Sequence, residues 1–321
     1  MENLNDKLGR KIDYLRVSIT DRCNLRCHYC MPAEGIKEKS HSEILSYEDL
    51  IKIIKTAQKI GVDKVRITGG EPLVRLGVED LIAGLSKLGL KDLSMTTNGV
   101  LLAEKAAELK KAGLDRINIS LDTLQRDKFK KISRRDDFDN VINGIKAAQN
   151  YGLDPVKLNV VVMKNINDDE ILDFVELSKN NKLVVRFIEY MPLGGETESE
   201  KFISVNEIRS IIDKKFKLIK TESEGNGPAE YYKLKSAKGR IGFIAALTEH
   251  FCADCNRLRL TADGKLKPCL ASDLEVEIDK SMKSDLILKS FKKALMIKPA
   301  AHNLNFDDEL KYKRSMSQIG G

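Results

Sequence analysis

No stretch of this sequence stays apolar for the roughly 18 residues that a membrane-spanning helix needs. Residues 1–11 are polar and charged and hold no apolar segment suited to a secretory signal. A soluble, cytoplasmic protein without a membrane partner is therefore expected. Aromatic residues are scarce, at 6% of the chain, so the stacking motifs of an RNA-binding surface are not expected. Lys and Arg are not gathered into one block. The net charge of +7 fits either a solvated basic surface or attraction of an anionic substrate, and charge alone does not separate the two. No cysteine is isolated: all six fall into two groups, Cys23/Cys27/Cys30 and Cys252/Cys255/Cys269. In a reducing cytoplasm such groups point away from disulfides and toward metal or redox chemistry.

What is present is a long alternation of strand and helix patterns. The 321 residues, 42% of them apolar, suffice for one large α/β domain or two modest ones. Strands are expected at 16–20, 64–68, 93–97, 116–121, 156–163 and 183–189. Helices are expected from 46 to Gly61 and near 78–88, 101–113, 138–151 and 168–179. Ser46 and Asp49 fit a capping box, with Leu45 and Leu50 as its hydrophobic staple. Alternating β and α elements require a parallel sheet with right-handed crossovers. Six strands are too few to close an eight-stranded barrel, so the expected fold is an open, partial (β/α)6 TIM-like barrel over 1–192. Past Met191 the pattern changes. Loops around Gly194-Gly195 and over 221–229 precede strands at 231–235 and 240–247. A hairpin pairs 257–261 with 265–270 around Asp263-Gly264. A helix is expected near 205–216 and another near 284–296. Residues 193–321 thus read as an antiparallel and helical α+β cap.

Cys23-x-x-x-Cys27-x-x-Cys30 lies in the loop after the first strand, at the barrel end where ligand-bearing loops belong. Structural zinc wants four ligands, and His28 is the one nearby imidazole. A [4Fe–4S] cluster usually takes four cysteines; three leave one iron open to an exogenous ligand. Zinc, a passive electron-transfer cluster and a catalytic cluster all remain possible on these residues alone.

This motif, with Tyr29 before its last cysteine, resembles the signature of the radical-SAM superfamily. The resemblance implies a partial barrel, a [4Fe–4S] cluster at Cys23, Cys27 and Cys30, and S-adenosylmethionine (SAM) chelated to the open iron. Gly69-Gly70-Glu71-Pro72 after the second strand could be a plain tight turn. In the superfamily such a segment contacts the methionine end of SAM, with glycine allowing close approach and Glu71 accepting from the ammonium. Tyr29, Gly70, Glu71, Ser120 and Met191 are the SAM contacts so implied.

The second trio, Cys252-x-x-Cys255 and then Cys269, also lacks a fourth cysteine; His250 could complete a zinc site, or an open iron could remain in a second [4Fe–4S] cluster. Arg257 and Arg259 alternate along a strand, which puts both on one face. Their guanidinium forks suit phosphate, although a pair of surface arginines has the same spacing. The trio together with Asn256-Arg257-Leu258-Arg259 resembles the GTP 3′,8-cyclases of molybdenum cofactor biosynthesis along nearly the whole chain. The terminal Gly320-Gly321 matches that family's tail, though it could equally be a disordered end. The resemblance implies GTP held by Arg16, Arg66, Thr97, Lys157, Arg186, Arg257 and Arg259. Positive charge inside a barrel is costly without a partner, and a triphosphate supplies one.

The implied lyase reaction starts with an electron from the first cluster, which cleaves SAM to methionine and a 5′-deoxyadenosyl radical. That radical takes the 3′ hydrogen of GTP. C3′ then adds to C8, and reduction with protonation gives (8S)-3′,8-cyclo-7,8-dihydroguanosine 5′-triphosphate. Cofactors carry this chemistry while the protein orients. No general acid is identified, and arginine is a poor one. The family also implies an external electron donor, a homodimer, and transfer of product to the cyclic pyranopterin monophosphate synthase. Two other readings stand beside it: a peptide-modifying radical-SAM enzyme with auxiliary clusters, and a non-enzymatic metal- or nucleic-acid-binding protein.

Overall fold

Strand alternation explains how this chain can line a barrel with charge. In β1 (Tyr14–Ser18), Leu15 and Val17 are fully buried against the helices, while Tyr14, Arg16 and Ser18 face the other way. The computed structural model describes residues 5–193, 198–222, 227–306 and 313–320. Gly194, Gly195 and Gly321, singled out above, and residues 223–226 of the 221–229 loop lie outside the described residues.

Five further strands, β2 (Lys64–Thr68), β3 (Asp92–Thr97), β4 (Arg116–Ser120), β5 (Lys157–Val162) and β6 (Val184–Glu189), follow β1 in spatial order, all parallel. The crossovers carry α1 (Tyr47–Gln58), α2 (Val78–Ser86), α3 (Leu102–Ala112), α4 (Arg126–Ser133), α5 (Phe138–Asn150) and α6 (Ile171–Asn180). Ser46 caps α1 through Asp49, as its sequence implies, and such a cap contributes about 1 kcal/mol. The first strand begins two residues earlier than its hydrophobic pattern suggests, because pairing with β2 starts at Tyr14. Helix α1 ends at Gln58, short of Gly61, which takes φ +101° in the turn beyond it. Helix α4 was not anticipated. Its sequence, RDKFKKIS, buries only Phe129, Ile132 and Ser133, too short an apolar stripe to stand out.

The C-terminal third contains α7 (Val205–Asp213), β7 (Ile219–Thr221), β8 (Glu230–Lys233), β9 (Arg240–Ile244), β10 (Arg257–Leu260), β11 (Lys265–Lys267), β12 (Val276–Glu277), α8 (Ser284–Met296) and α9 (Met316–Ile319). Its hairpins are antiparallel, as expected. They also continue the barrel's own sheet at both edges. Strand β10 pairs in parallel with β1, and β9 in parallel with β6, so one curved sheet of order β12-β11-β10-β1-β2-β3-β4-β5-β6-β9-β8-β7 runs through both parts. The outermost strands, β12 and β7, do not pair with each other, so the barrel stays open. No helix among the described residues is long and apolar enough to cross a membrane.

Candidate functional site

The parallel register stacks the basic residues in rows. Arg259, Arg16 and Arg66 are neighbours across β10, β1 and β2; one step toward the strand starts, Arg257, Tyr14 and Lys64 form the next row. On the opposite wall, Asn159 of β5 neighbours Arg186 of β6. Arg16, Arg66, Lys157, Arg186, Arg257 and Arg259 consequently line one cavity of about 160 Å³. Burial lowers the pKa of Arg16 well below the ordinary value, and the neighbouring Arg259 and Arg66 add to this. Burial also brings Arg66 and Arg259 to about 10 and pulls Arg186 down. The Nε atoms of Arg186 and Arg257 are buried with no hydrogen-bond partner among the described residues. Crowded buried cations with donors left over are the complement of a polyanion.

Thr97, expected at this cavity, is not among its lining residues. Its hydroxyl donates to Oε1 of Glu71 at 2.7 Å. Glu71 in turn is fully buried and also accepts from the backbone N–H of Leu73 and Asn98, at 3.0 and 2.6 Å. Three protein donors brace the Glu71 carboxylate, and one of its roughly four acceptor positions is left over for an ammonium. Burial raises its pKa to about 7 despite those donors. Gly70 needs its lack of a side chain for a further reason. A Cβ there would lie 2.3 Å from the carbonyl oxygen of Arg22, so its close approach is to the cysteine loop of this chain.

That loop is held from every side. Gly70 N–H and Glu71 N–H donate to Thr20 O and Arg22 O at 2.8 and 2.7 Å. Arg26 N–H and His28 N–H donate to Ser133 O and Ile132 O at the end of α4. Arg134, at φ +56°, sends its guanidinium to Arg26 O and Met31 O, bracketing Cys27 and Cys30. The Asn98 amide donates to Asn24 Oδ1 at 2.7 Å and to Cys23 Sγ at 3.8 Å. Tyr29 donates to Asp122 at 2.7 Å, and Asp122 accepts from Val161 N–H. Ser120 ends β4 on this same face. Burial, then the charge of Glu71, lifts the Cys23 thiol to about 11; burial and the neighbouring thiol lift Cys30 to about 12, and Cys27 rises too. Three thiols this reluctant to ionise together need a strongly cationic centre to bind them as thiolates.

The second trio converges as well. Cys252, Cys255 and Cys269 line one cavity with Arg257, Arg259 and Met191. Met191 also lines the arginine cavity, so the two adjoin. Burial raises the Cys255 thiol, but Arg257 and Lys298 outweigh it and leave the pKa lowered. Lys298, which the sequence did not single out, donates to Cys255 Sγ at 3.5 Å, Arg257 O at 2.9 Å and Pro268 O at 2.7 Å. Arg10 ties the same region to the N-terminal segment through Cys252 O, Pro299 O and Ala300 O.

A single-ion alternative can be tested on distances. Tetrahedral zinc draws its sulfurs to about 3.8 Å from one another. Among the described residues, only His250, Cys252 and His302 bring three ligand atoms within 4.8 Å of one another, and neither cysteine trio does. His302 is committed elsewhere: its Nδ1 accepts from Leu304 N–H, and it bonds the Ala246 backbone.

The C-terminal tail, which resembles the family's double-glycine tail and could equally have been a disordered end, enters this site. Backbone N–H of Ser317 donates to Cys30. Gly320 O accepts from Arg16 and from Arg259. Only the terminal glycine pair hinted at it in the sequence.

Comparisons with known proteins fit this geometry. Residues 17–178 match the Radical SAM superfamily, and residues 183–304 match Molybdenum Cofactor Synthesis C. A GTP 3′,8-cyclase of Petrotoga mobilis is 53% identical, covering 98% of this chain and 99% of that protein. Another, of Thermodesulfovibrio yellowstonii, is 50% identical, covering 99% of this chain and all (100%) of that one. Among solved structures, Streptococcus suis SuiB bound to precursor peptide SuiA aligns with a TM-score of 0.64 at 17% identity, covering 90% of this chain and 67% of that one. Native anSMEcpe with bound AdoMet aligns at 0.55 and 16%, covering 89% of this chain and 83% of that one. At these identities the two structures speak to the fold alone.

Proposed function

The chain belongs to the GTP 3′,8-cyclase family of radical SAM enzymes, and from that membership we propose how its residues divide the reaction. It is an enzyme of molybdenum cofactor synthesis that uses a [4Fe–4S] cluster and SAM and acts on GTP. Cys23, Cys27 and Cys30 hold that cluster, and Cys252, Cys255 and Cys269 hold a second. When bound, the first cluster and SAM supply the hydrogen-abstracting chemistry.

The protein's own work is positional. Arg134, Ser133 and Ile132 fix the first cysteine loop, and Glu71 fixes the Thr97–Asn98 turn against it. Tyr29, Gly70, Glu71, Ser120 and Met191 border SAM in this reading. Arg16, Arg66, Lys157, Arg186, Arg257 and Arg259 take the triphosphate, which neutralises them in place of water. Met191, Arg257 and Arg259 are shared by the two cavities, so a nucleotide anchored by its phosphates reaches the second trio with its base. The single observation that carries this division is the cation-lined cavity that adjoins Cys252, Cys255 and Cys269. Residues 1–192 then generate the radical and residues 193–321 select its target. The reading includes an external electron donor, a homodimer, and transfer of product to the cyclic pyranopterin monophosphate synthase.

Anaerobic reconstitution tests it. About eight irons per chain, and 5′-deoxyadenosine formation that depends on GTP, are expected. Cys269→Ala should retain SAM binding and the spectrum of one cluster while losing GTP conversion. Four irons in the wild type, or SAM cleavage indifferent to GTP, would sink the two-cluster reading.

A further inference from the structure

The barrel is open at its foot as well as at the cysteine end. Strands β2, β3, β4, β5 and β9 begin with Lys64, Asp92, Arg116, Lys157 and Arg240. These first residues line a cavity of about 670 Å³, which the strand direction places at the end opposite the cysteine loops. Four of them, Lys64, Asp92, Arg116 and Lys157, also line the arginine cavity. They form a neck between the two spaces.

In a closed (β/α)8 barrel, stacked layers of Val, Ile and Leu fill the interior. Here the corresponding positions carry Arg16, Arg66, Asn118, Asn159 and Arg186, so no apolar plug separates foot from centre. The neck has an open valence too. Arg116 binds both oxygens of Asp92 through Nε and Nη2, at 2.8 and 2.5 Å, while its buried Nη1 has no partner among the described residues.

The rim is basic. Lys91, Lys182 and Lys238 are exposed there. The whole lining has seven basic side chains and three acidic ones. Asp13 and Asp63 pair with Lys64 and Lys91 from outside it, and the excess remains positive. The cysteine end, by contrast, is partly filled by the chain itself, because α9 reaches Cys30 and Gly320 lies on Arg16 and Arg259.

We propose that the foot cavity is an anion vestibule, by which the phosphate tail of a nucleoside triphosphate leads the substrate through the neck to the buried arginines. The proposal rests on GTP being the substrate. A cleft lined by one sign of charge with low-dielectric walls focuses the field and raises association rates, an effect that salt removes.

The test is stopped-flow association of a fluorescent N-methylanthraniloyl GTP with the reconstituted full-length protein. A Lys182→Glu/Lys238→Glu variant should associate more slowly than wild type by roughly five-fold or more at low ionic strength. The difference should close in 0.5 M salt (about a 4 Å screening length), with dissociation and SAM binding unchanged. Lys37→Glu/Lys131→Glu, exposed on the cysteine end, is the control and should associate at the wild-type rate. Slowing in the control but not in the foot variant overturns the vestibule, as does equal slowing in both. Wild type that binds the nucleotide while the foot variant matches its rate overturns the vestibule alone. Wild type that does not bind it overturns the substrate reading beneath.

Discussion

Arg16 donates to the carbonyl oxygen of Gly320 through Nε and Nη2, at 3.3 and 3.2 Å, joining the first strand to the last described residue. Arg259 donates to the same oxygen. A glycine is required there for two reasons. Its φ is +68°, and a Cβ would lie 2.4 Å from Thr68 Cγ2. Gly320→Ala should therefore displace the tail and lower GTP-dependent 5′-deoxyadenosine formation by roughly ten-fold, a loss of about 1.4 kcal/mol. Unchanged SAM affinity would accompany it. A variant with wild-type turnover would show that the tail contact is idle.

The tail has a second anchor. Arg314 bonds Asp263 at 2.9 and 3.1 Å and Glu275 at 2.5 and 3.0 Å. Half-burial pushes the Asp263 carboxyl up, but Arg314 and Thr261 prevail and hold it at about 2. A depressed carboxyl stabilises the fold above its ordinary pKa of 3.8, and that contribution disappears only as pH falls through about 2. The anchor is thus intact at any working pH. Arg314→Ala should reproduce part of the Gly320→Ala defect at neutral pH. Hydrogen exchange at residues 313–320 should rise in it, and unchanged protection there would exclude an anchoring role.

Arg186 is buried, its Nε lacks a partner among the described residues, and burial lowers its pKa. Replacing such a charge by an apolar side chain of similar volume is often neutral or stabilising. Arg186→Met should match or exceed wild type in nucleotide-free thermal stability while binding GTP at least ten-fold more weakly. GTP should also raise the melting temperature of wild type more than that of the variant. A clear loss of nucleotide-free stability would mean that Arg186 holds the fold, not the substrate.

Glu71 offers a pH test. Its folded pKa is raised to about 7 from an ordinary 4.5, with burial the main cause. The protonated form is thus favoured by folding. The stability this gives is full below about 4.5 and is lost as pH rises through about 7. Relative to Glu71→Gln, wild type should lose roughly 1–3 kcal/mol between pH 5 and pH 8. Urea unfolding of both proteins at the two pH values measures this, and a gap that does not change with pH contradicts it.

Lys298 links the segments that carry Cys255 and Cys269. Lys298→Met should leave two carbonyls, Arg257 O and Pro268 O, without their donor, at about 1–3 kcal/mol each. The expected result is loss of second-cluster iron with the first cluster's spectrum intact. Lys298→Arg should recover part of that iron. Full iron content in Lys298→Met would place the lysine outside the cluster's support.

Much of this was legible from local pattern. The strand 64–68 and the helix 284–296 coincide with β2 and α8, because strong alternation and periodicity need no distant partner to be recognised. The grouping of the cysteines was legible for the same reason: the members of each trio lie close in sequence. The mutual hydrogen bond of Thr97 and Glu71 was not legible, because each is a polar side chain at a strand end and the sequence does not say whether its partner is a ligand or another residue. Helix α4 escaped because its support comes from the cysteine loop, about a hundred residues earlier.

The sequence by itself determined which residues carry charge and sulfur, and that strands and helices alternate around them. It could not determine that β10 lies beside β1 in parallel, since that pairing joins residues more than 240 positions apart. Yet this register puts Arg259 next to Arg16 and brings the second cysteine trio to the first strand. Gly320 depends on it too, because only two arginines already in one row can share its oxygen. Local spacing groups the cysteines, but long-range strand pairing decides what each group faces.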